Sequence, residues 1–196
     1  LTGQVSPDSG STGFTVDGAG NRKTRTDARG ITATYSYDAL NRLVGVAYPD
    51  PNMDVGYHYD VAPAVCAGDE RFAKGRLSEV LHDGGRTAYC HDRFGQITRK
   101  VQTVNGVAST LRYAYNKSGR LASLTYPDGS VADYVRDTLG RINQIGLTRP
   151  GQARQVVVNG VTYAAFGPAT GWTYGNGRQL QRPLDLDYRP QAVHDP

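Results

Sequence analysis

The sequence predicts an all-β protein, an antiparallel meander of repeated hairpins that forms one curved sheet. The first observation is a short Tyr-rich and Asp-containing phrase that recurs along the chain at intervals of 21, 22, 32, 24 and 21 residues. The second is the composition: 24 Gly and 13 Tyr stand beside 1 Met and 1 Trp in 196 residues, which favours short strands and tight turns over helices. Repeats of this length are typical of architectures in which neighbouring units bury each other's apolar faces.

The recurring phrase defines the repeat unit. Its copies are YSYDALNRL at 35–43, YCHDRFGQI at 89–97, YAYNKSGRL at 113–121 and YVRDTLGRI at 134–142. Its acidic or amide position falls at Asp17, Asp38, Asp60, Asp92, Asn116 and Asp137. The long interval after Asp60 contains an insertion, VAPAVCAGDERFA, at residues 61–73. Insertions in repeat proteins usually map to loops on one face.

The middle of each phrase predicts a turn. An Asp or Asn at the first position of a type I turn accepts backbone hydrogen bonds, and a Gly or Asn three residues later tolerates the positive φ that completes the hairpin. The predicted turn residues are Asp17, Gly20, Asp38, Asn41, Asp92, Gly95, Asn116, Gly119, Asp137 and Gly140.

Strands are predicted on both sides of each turn. Residues two apart share a face of a strand, so the paired tyrosines and the apolar residue after each turn should lie on one face. These residues are Tyr35, Tyr37, Leu43, Tyr57, Tyr59, Leu77, Tyr113, Tyr115, Leu121, Tyr134 and Ile142. Leu43 and Val46 are three apart, which breaks strict alternation, and a β-bulge near the start of the strand would reconcile them.

A second type of turn alternates with the first. The sequences DGG at 83–85, NG at 105–106, DG at 128–129 and NG at 159–160 predict two-residue hairpins with positive φ at both central residues. Six to seven units then imply roughly twelve to fourteen strands, more than a twisted open sheet usually holds without curling. Asp185 and Asp187 alternate with leucines, which predicts a half-exposed strand.

The organisation predicted from these patterns has three parts. Residues 1–13 are an N-terminal tail or partial repeat, residues 14–180 are the repeat region with its insertion at 61–73, and residues 181–196 are a C-terminal tail or partial repeat. The first residues lack a signal-peptide pattern, so we interpret the chain as a fragment. No stretch of 18 consecutive apolar residues occurs, which excludes insertion into a membrane as a helix.

The phrases YSYDALNRL, YAYNKSGRL and TYPDGS resemble the YD repeat of the Rhs family over about residues 14–180. The resemblance implies a β-strand spiral that forms the wall of a hollow shell. In bacterial Rhs proteins and in the C component of insecticidal toxin complexes such shells enclose a toxic segment, and in animal teneurins a related shell belongs to an adhesion receptor. The resemblance thus implies a bacterial protein, secreted or delivered to the cell surface. Its partners would be the remainder of a parent Rhs-type chain and an encapsulated cargo polypeptide.

Other function classes have little support in the sequence. The net charge of +4 comes from arginines that recur singly beside acidic residues, and not from the basic stripe that nucleic-acid binding requires. No catalytic residues, metal ligands or cofactors are predicted: His58, His82, His91 and His194 are scattered, and we interpret them as strand residues. The irregular spacing of Cys66, Cys90, His58 and His91 argues against a zinc site.

Two interpretations of the cysteines stay open. Cys66 and Cys90 either form a single disulfide, which would indicate an oxidising compartment, or are two small buried thiols.

The leading hypothesis is a non-enzymatic wall segment that helps to enclose a cargo polypeptide. One alternative is a carbohydrate-binding or adhesion module, because Tyr and Trp rings stack on sugars. Another is part of a self-processing toxin. An unpaired strand at each edge of such a sheet also predicts self-association through the sheet edges.

Overall fold

A computed structural model describes residues 2–194 and shows an all-β fold. Its strands are β1 (Gly3–Ser6), β2 (Gly10–Val16), β3 (Arg22–Thr26), β4 (Thr32–Tyr37), β5 (Leu43–Ala47), β6 (Val55–Tyr59), β7 (Leu77–His82), β8 (Gly85–His91), β9 (Ile97–Val104), β10 (Val107–Tyr115), β11 (Leu121–Thr125), β12 (Val131–Arg136), β13 (Ile142–Thr148), β14 (Gln155–Tyr163), β15 (Ala169–Tyr174) and β16 (Gln179–Gln181). Two short 3-10 turns lie at Pro51–Met53 and Gly68–Glu70. The order of the strands in the sheet is their order in the sequence. The predicted antiparallel meander is therefore confirmed.

The strands number sixteen in the described part of the chain, more than the twelve to fourteen expected. The additional strands lie at the two ends of the chain: β1 lies within residues 1–13, and the last strand, β16, ends at Gln181. The contacts divide the chain into two compact units, residues 1–110 and 111–196.

The repeat turns have the local geometry that the turn chemistry predicts. In the turn at 38–41, the Asp38 amide donates to the carbonyl of Arg42 at 3.0 Å, and the Asn41 amide donates to the carbonyl of Asp38 at 3.0 Å. The Asp38 Oδ1 atom accepts the amides of Leu40 and Arg42, both at 2.9 Å. Positive φ occurs at the fourth turn position, with values of 86° at Gly20, 58° at Asn41, 88° at Gly95, 71° at Gly119 and 76° at Gly140.

A β-bulge follows each repeat turn. Ser36 pairs with Gly45 and Tyr37 pairs with Leu43, so Val44 is the extra residue. The same register shift follows the turns that begin at Asp17, Asp60, Asp92, Asn116 and Asp137. This bulge explains why Leu43 and Val46 lie on one face although they are three residues apart.

The prediction of a second, two-residue turn type holds only in part. Asn105 and Gly106 both have positive φ, 47° and 80°, in a two-residue loop. The loop at 83–84 also has two residues, but of this pair only Gly84 has positive φ.

At 128–129 the prediction is wrong. The Tyr126 amide bonds the carbonyl of Ser130 and the Gly129 amide bonds the carbonyl of Tyr126, which is the closure of the repeat turn. Pro127 explains this, since proline favours the first central position of a type I or II turn.

The prediction is also wrong at 159–160 and at 185–187. Asn159 and Gly160 lie inside β14, where Gly160 at φ 61° forms a bulge in place of a hairpin. Asp185 starts a turn and not a strand, because its Oδ1 atom accepts the amides of Asp187 and Arg189. The predicted tail thus contains a further repeat-type turn, and Gln181 and His194 exchange both backbone hydrogen bonds around it.

The chain buries little apolar surface. Within residues 2–194 the buried apolar residues have small or medium side chains; they are Ala33, Val46, Cys66, Ala73, Ala88, Cys90, Val101 and Ala132. The accessible surface is 12619 Å², whereas a globular monomer of 21.2 kDa exposes about 9,100 Å². The strand tyrosines of the repeats and their cross-strand partners occupy one face of each unit, which we call the tyrosine face. The tyrosine rings on this face are only half-buried.

Candidate functional site

Side chains that follow one repeat turn reach the next, and we call this set of links the turn ladder. In the first unit, Arg42 Nε donates to Asp38 Oδ2 at 2.7 Å in its own turn. Its Nη2 atom donates to Asp60 Oδ2 at 2.6 Å in the next turn. The guanidinium carbon also lies 4.4 Å from the ring centroid of Tyr59. One arginine therefore ties two carboxylates and an aromatic ring together across neighbouring hairpins.

These contacts shift the pKa values of both partners. Hydrogen bonds from Arg42 and then from the Gly75 amide lower the pKa of Asp60. The two aspartates raise the pKa of Arg42. Both carboxylates and the guanidinium are thus charged at neutral pH. The ladder needs these charges for its structure.

In the second unit the arginines after the repeat turns also contact the next hairpin, but their partners there are a backbone carbonyl or an aromatic ring instead of a carboxylate. Arg141 Nε donates to Asp137 Oδ2 at 2.8 Å, and its guanidinium lies 4.6 Å from the ring of Tyr163. Arg120 Nη1 donates to the carbonyl of Leu139 at 3.3 Å, and the guanidinium lies against Gly140 where a Cβ atom would stand. Gly140 is required both by its positive φ and by this close approach.

Tyrosine hydroxyls bond the preceding repeat. Tyr37 donates to the carbonyl of Arg22 at 3.0 Å, Tyr59 to that of Leu43 at 2.9 Å, and Tyr163 to that of Ile142 at 2.6 Å. A half-buried Tyr hydroxyl needs such a partner, and here the partner always belongs to an earlier hairpin. The rings therefore bind the repeat units to one another.

The insertion at 61–73 covers part of the face opposite to the tyrosine face in the first unit. Cross-strand pairing places Tyr57 with Val80 and Thr87, so Ala88 and Cys90 lie on the opposite face. Both are almost fully buried, at 3% and 1% exposure, whereas Thr34 and Ser36 on the same face are exposed. The insertion accounts for this difference because it is bonded to β8 and β9.

Two anchors hold the insertion. Cys66 and Cys90 form a disulfide, which decides between the two interpretations of the cysteines. The bridged sulfurs cannot be zinc ligands. Arg99 on β9 donates from Nη1 to the carbonyl of Val65 at 2.9 Å and pairs with the carboxylate of Glu70.

The histidines do not converge. His91 is buried, and burial lowers its pKa, so it is a neutral strand residue whose Nδ1 atom has no hydrogen-bond partner. His58 lies on the other face, 3.5 Å from Glu79. Within residues 2–194, His, Cys, Asp and Glu side chains do not gather in threes where a metal ion could bind. None of the helical turns in this range is long and apolar enough to cross a membrane.

The structural role of the fifth turn residue was not predicted from the sequence. The signal was present, because Arg42, Arg76, Arg120, Arg141 and Arg178 all follow a Gly or Asn at the fourth turn position. Where the turn begins with Asp, as at Asp38 and Asp137, this pattern places the arginine beside the turn carboxylate, but the receiving group in the next repeat cannot be found from local spacing.

Fold and turn ladder together define a class, the hairpin-repeat proteins in which Asp turns and Tyr strands link successive units. Residues 16–52 and 115–154 match the family model described as RHS Repeat. In these two segments the predicted resemblance to the RHS repeat is confirmed. A sequence search among curated proteins finds no match.

Solved structures share the fold across almost the whole chain. One is the crystal structure of TcdB2-TccC3, with a TM-score of 0.77, 19% identity, and coverage of 99% of this chain and 11% of that chain. A second, TcdB2-TccC3-Cdc42, has a TM-score of 0.76, 19% identity, and coverage of 98% and 10%. A third, a Tc holotoxin pore of Photorhabdus luminescens with a mutation in TccC3, has a TM-score of 0.75, 19% identity, and coverage of 99% and 10%. The chain thus spans about a tenth of the length of these proteins.

Proposed function

We propose that this chain is a non-enzymatic structural segment of a secreted bacterial Rhs-type protein. In this proposal it forms part of a curved β-sheet shell that encapsulates a toxin or another cargo polypeptide. The observation that carries the proposal is the sequential meander of hairpins with very little core of its own. A sheet that exposes about 40% more surface than a globular monomer suits a wall that other segments cover. The fold it shares with the toxin-complex chains supports the same function.

The turn ladder gives such a wall its cohesion. Each hairpin alone is marginally stable in water. The Arg42 and Asp60 contact, the Tyr59 hydroxyl bond and the backbone ladder join one hairpin to the next at the turn, at the strand start and along the strand. A chain of such links stabilises a long sheet without a thick core, because each unit needs only its two neighbours.

The proposal can be tested by protease protection in the parent protein. The intact parent chain should protect its cargo segment from added protease. Replacing Leu124 in β11 with Pro removes a backbone donor from a central strand and should expose the cargo. The matched control is Ser118→Ala at an exposed turn, which should leave protection unchanged. A cargo segment that is equally protected when residues 14–180 are deleted would contradict the proposal.

The self-processing alternative has its own test. The purified chain should keep its full mass during prolonged incubation, as followed by mass spectrometry. A defined cleavage product that forms without added protease would show that the segment is enzymatic.

A further inference from the structure

Two glycines lie side by side in the first unit, on the face opposite to the tyrosine face. Gly45 in β5 pairs with Gly56 in β6, and the register places Ser36 and Leu81 on either side of them in the same cross-strand row. A groove of about 360 Å³ lies over this row, and the Asp54 carboxylate residue also lines it. We call Ser36, Gly45, Asp54, Gly56 and Leu81 the glycine shelf. Its volume is in the range of sites that bind small groups.

The backbone does not require glycine at the shelf. Gly45 and Gly56 do not have positive φ. A glycine inside a strand weakens the strand and often marks a place where another group approaches closely. At Gly56 a Cβ atom would lie 3.6 Å from the Leu81 Cβ atom, which is an ordinary contact, so a larger residue would fit there. A group that packs on the shelf explains the two glycines better than local geometry does.

Elsewhere in this chain, the group that packs on a glycine is repeatedly a guanidinium. Three glycines have a guanidinium where a Cβ atom would stand, namely Gly95 with Arg76, Gly140 with Arg120 and Gly146 with Arg154. A guanidinium is planar and weakly hydrated, so it can lie flat on a peptide plane that has no side chain. The chain thus contains its own examples of the contact that a glycine shelf can make.

The example at Gly146 is on the corresponding face of the second unit. Gly146 pairs with Asp133, and this pair lies next to a tyrosine pair of the same hairpin, as the pair of Ser36 and Gly45 does in the first unit. Arg154 donates to Asp133 from Nε to Oδ1 at 2.7 Å and from Nη2 to Oδ2 at 2.6 Å. A glycine floor and a neighbouring carboxylate therefore bind a guanidinium there.

The shelf has the floor and the carboxylate, but the connection beside it has no cation. Arg154 belongs to the segment that connects β13 with β14, whereas residues 48–54, which connect β5 with β6, contain Asp50 and Asp54 and neither Arg nor Lys. Asp54 Oδ1 accepts the Tyr48 amide at 2.7 Å, which holds the carboxylate at the groove. A carboxylate has capacity for further hydrogen bonds.

We infer that the glycine shelf binds the guanidinium of an arginine side chain from a polypeptide outside this chain. The guanidinium lies on the peptide planes of Gly45 and Gly56 and donates to the Asp54 carboxylate, as Arg154 does on Gly146. An ammonium group lacks the planar shape and is more strongly hydrated, so the site favours arginine over lysine. This inference rests on the geometry of the shelf and not on the proposed function.

Nuclear magnetic resonance of the 196-residue chain, titrated with N-acetylarginine amide, tests the inference. The amide resonances of Gly45 and Gly56 should shift and saturate, with a dissociation constant of about 10 mM or lower. N-acetyllysine amide carries the same charge and should bind at least about fivefold more weakly. The absence of a saturable shift at the two glycines overturns the inference. Equal affinity for the two compounds overturns it too, because it would show attraction to charge alone.

Three variants locate the site. Gly56→Val fills the groove with a residue that strands favour, and it should abolish the shifts at Gly45. The matched control is Gly13→Val in β2, where nothing lies within 4 Å of the Cβ position, and it should leave the dissociation constant unchanged. Asp54→Asn keeps an acceptor for the Tyr48 amide and removes the charge, so it should raise the dissociation constant about threefold or more.

Thermal melting shows whether each variant is folded. Asp54→Asn tests the site independently if Gly56→Val melts earlier than the native chain. Binding that Gly56→Val leaves unchanged in a folded chain overturns the inference. A dissociation constant that Asp54→Asn does not alter overturns it as well, because the carboxylate would then take no part in the site.

Discussion

Removing the disulfide between Cys66 and Cys90 should release the insertion and lower the stability of the first unit. The bridge joins residues 24 apart, and the loop-closure model gives about 3.5 kcal/mol for that length. What remains without it includes the Arg99 contact with Glu70 and Val65, the backbone bond from Phe72 to His91, and burial of small residues such as Ala88. Replacement of both cysteines by alanine should therefore lower the free energy of unfolding by about 3.5 kcal/mol.

Urea unfolding followed by circular dichroism measures the loss, and hydrogen exchange locates it. The Phe72 amide bonds the carbonyl of His91 at 3.1 Å and reports whether the insertion stays on the sheet. Its exchange should accelerate in the double variant. The Leu139 amide, bonded to Asp137 Oδ1 at 3.0 Å, is a matched control in the other unit and should keep its rate.

Reductant provides an independent arm of the same experiment. Reduction of the native chain should reproduce the double variant, and the double variant itself should not respond to reductant. A loss below about 1 kcal/mol, or a Phe72 amide whose exchange does not change, would refute the view that the bridge is the main anchor.

Three further predictions concern the turn ladder. Gly140→Ala and Gly177→Ala both place alanine at positive φ, 76° and 87°, which costs about 1 to 2 kcal/mol. Gly140→Ala should cost clearly more in thermal unfolding, because its Cβ would meet a guanidinium while nothing lies within 4 Å at Gly177. Tyr59→Phe removes the hydroxyl bond to the preceding repeat and should lower the unfolding free energy by about 1 kcal/mol. The Tyr57 hydroxyl makes no such bond to a carbonyl within residues 2–194, so Tyr57→Phe should change the unfolding free energy little. Equal losses in the two variants would contradict the role assigned to the Tyr59 hydroxyl. Because guanidinium and amide donors lower the folded-state pKa of Asp60, its stabilising effect is present above about pH 4 and is lost as the pH falls further. In the Asp60→Asn variant the melting temperature should therefore fall less steeply as the pH is lowered into the acidic range. A melting temperature that falls as steeply as that of the native chain would contradict the stabilising role of the ion pair.

Local chemistry made most of the turns predictable. The closure at Asp38 involves only residues up to four positions away, and the pairs that define the bulge after it are at most nine residues apart. Errors arose where a neighbour changed the local preference. Pro127 turned an expected two-residue loop into a longer one, and the Asp185 carboxylate closed a turn where alternation indicated a strand.

The contacts between repeats were less predictable. The partners of Arg42 and of the Tyr59 hydroxyl lie 18 and 16 residues away in the sequence. Such contacts depend on register and strand twist, and no local pattern encodes them. The same holds for the place of Arg99 beneath the insertion.

The sequence by itself determined the all-β meander, the position of most of the repeat turns and the resemblance to the RHS repeat. These follow from φ preferences and from side chain to backbone bonds within a few residues. Only the tertiary structure decided that Cys66 bonds Cys90, which face the insertion covers, and that the tyrosine rings bind neighbouring hairpins. Those features bring together groups that are distant in the chain, so they exist only once the strands are paired in register.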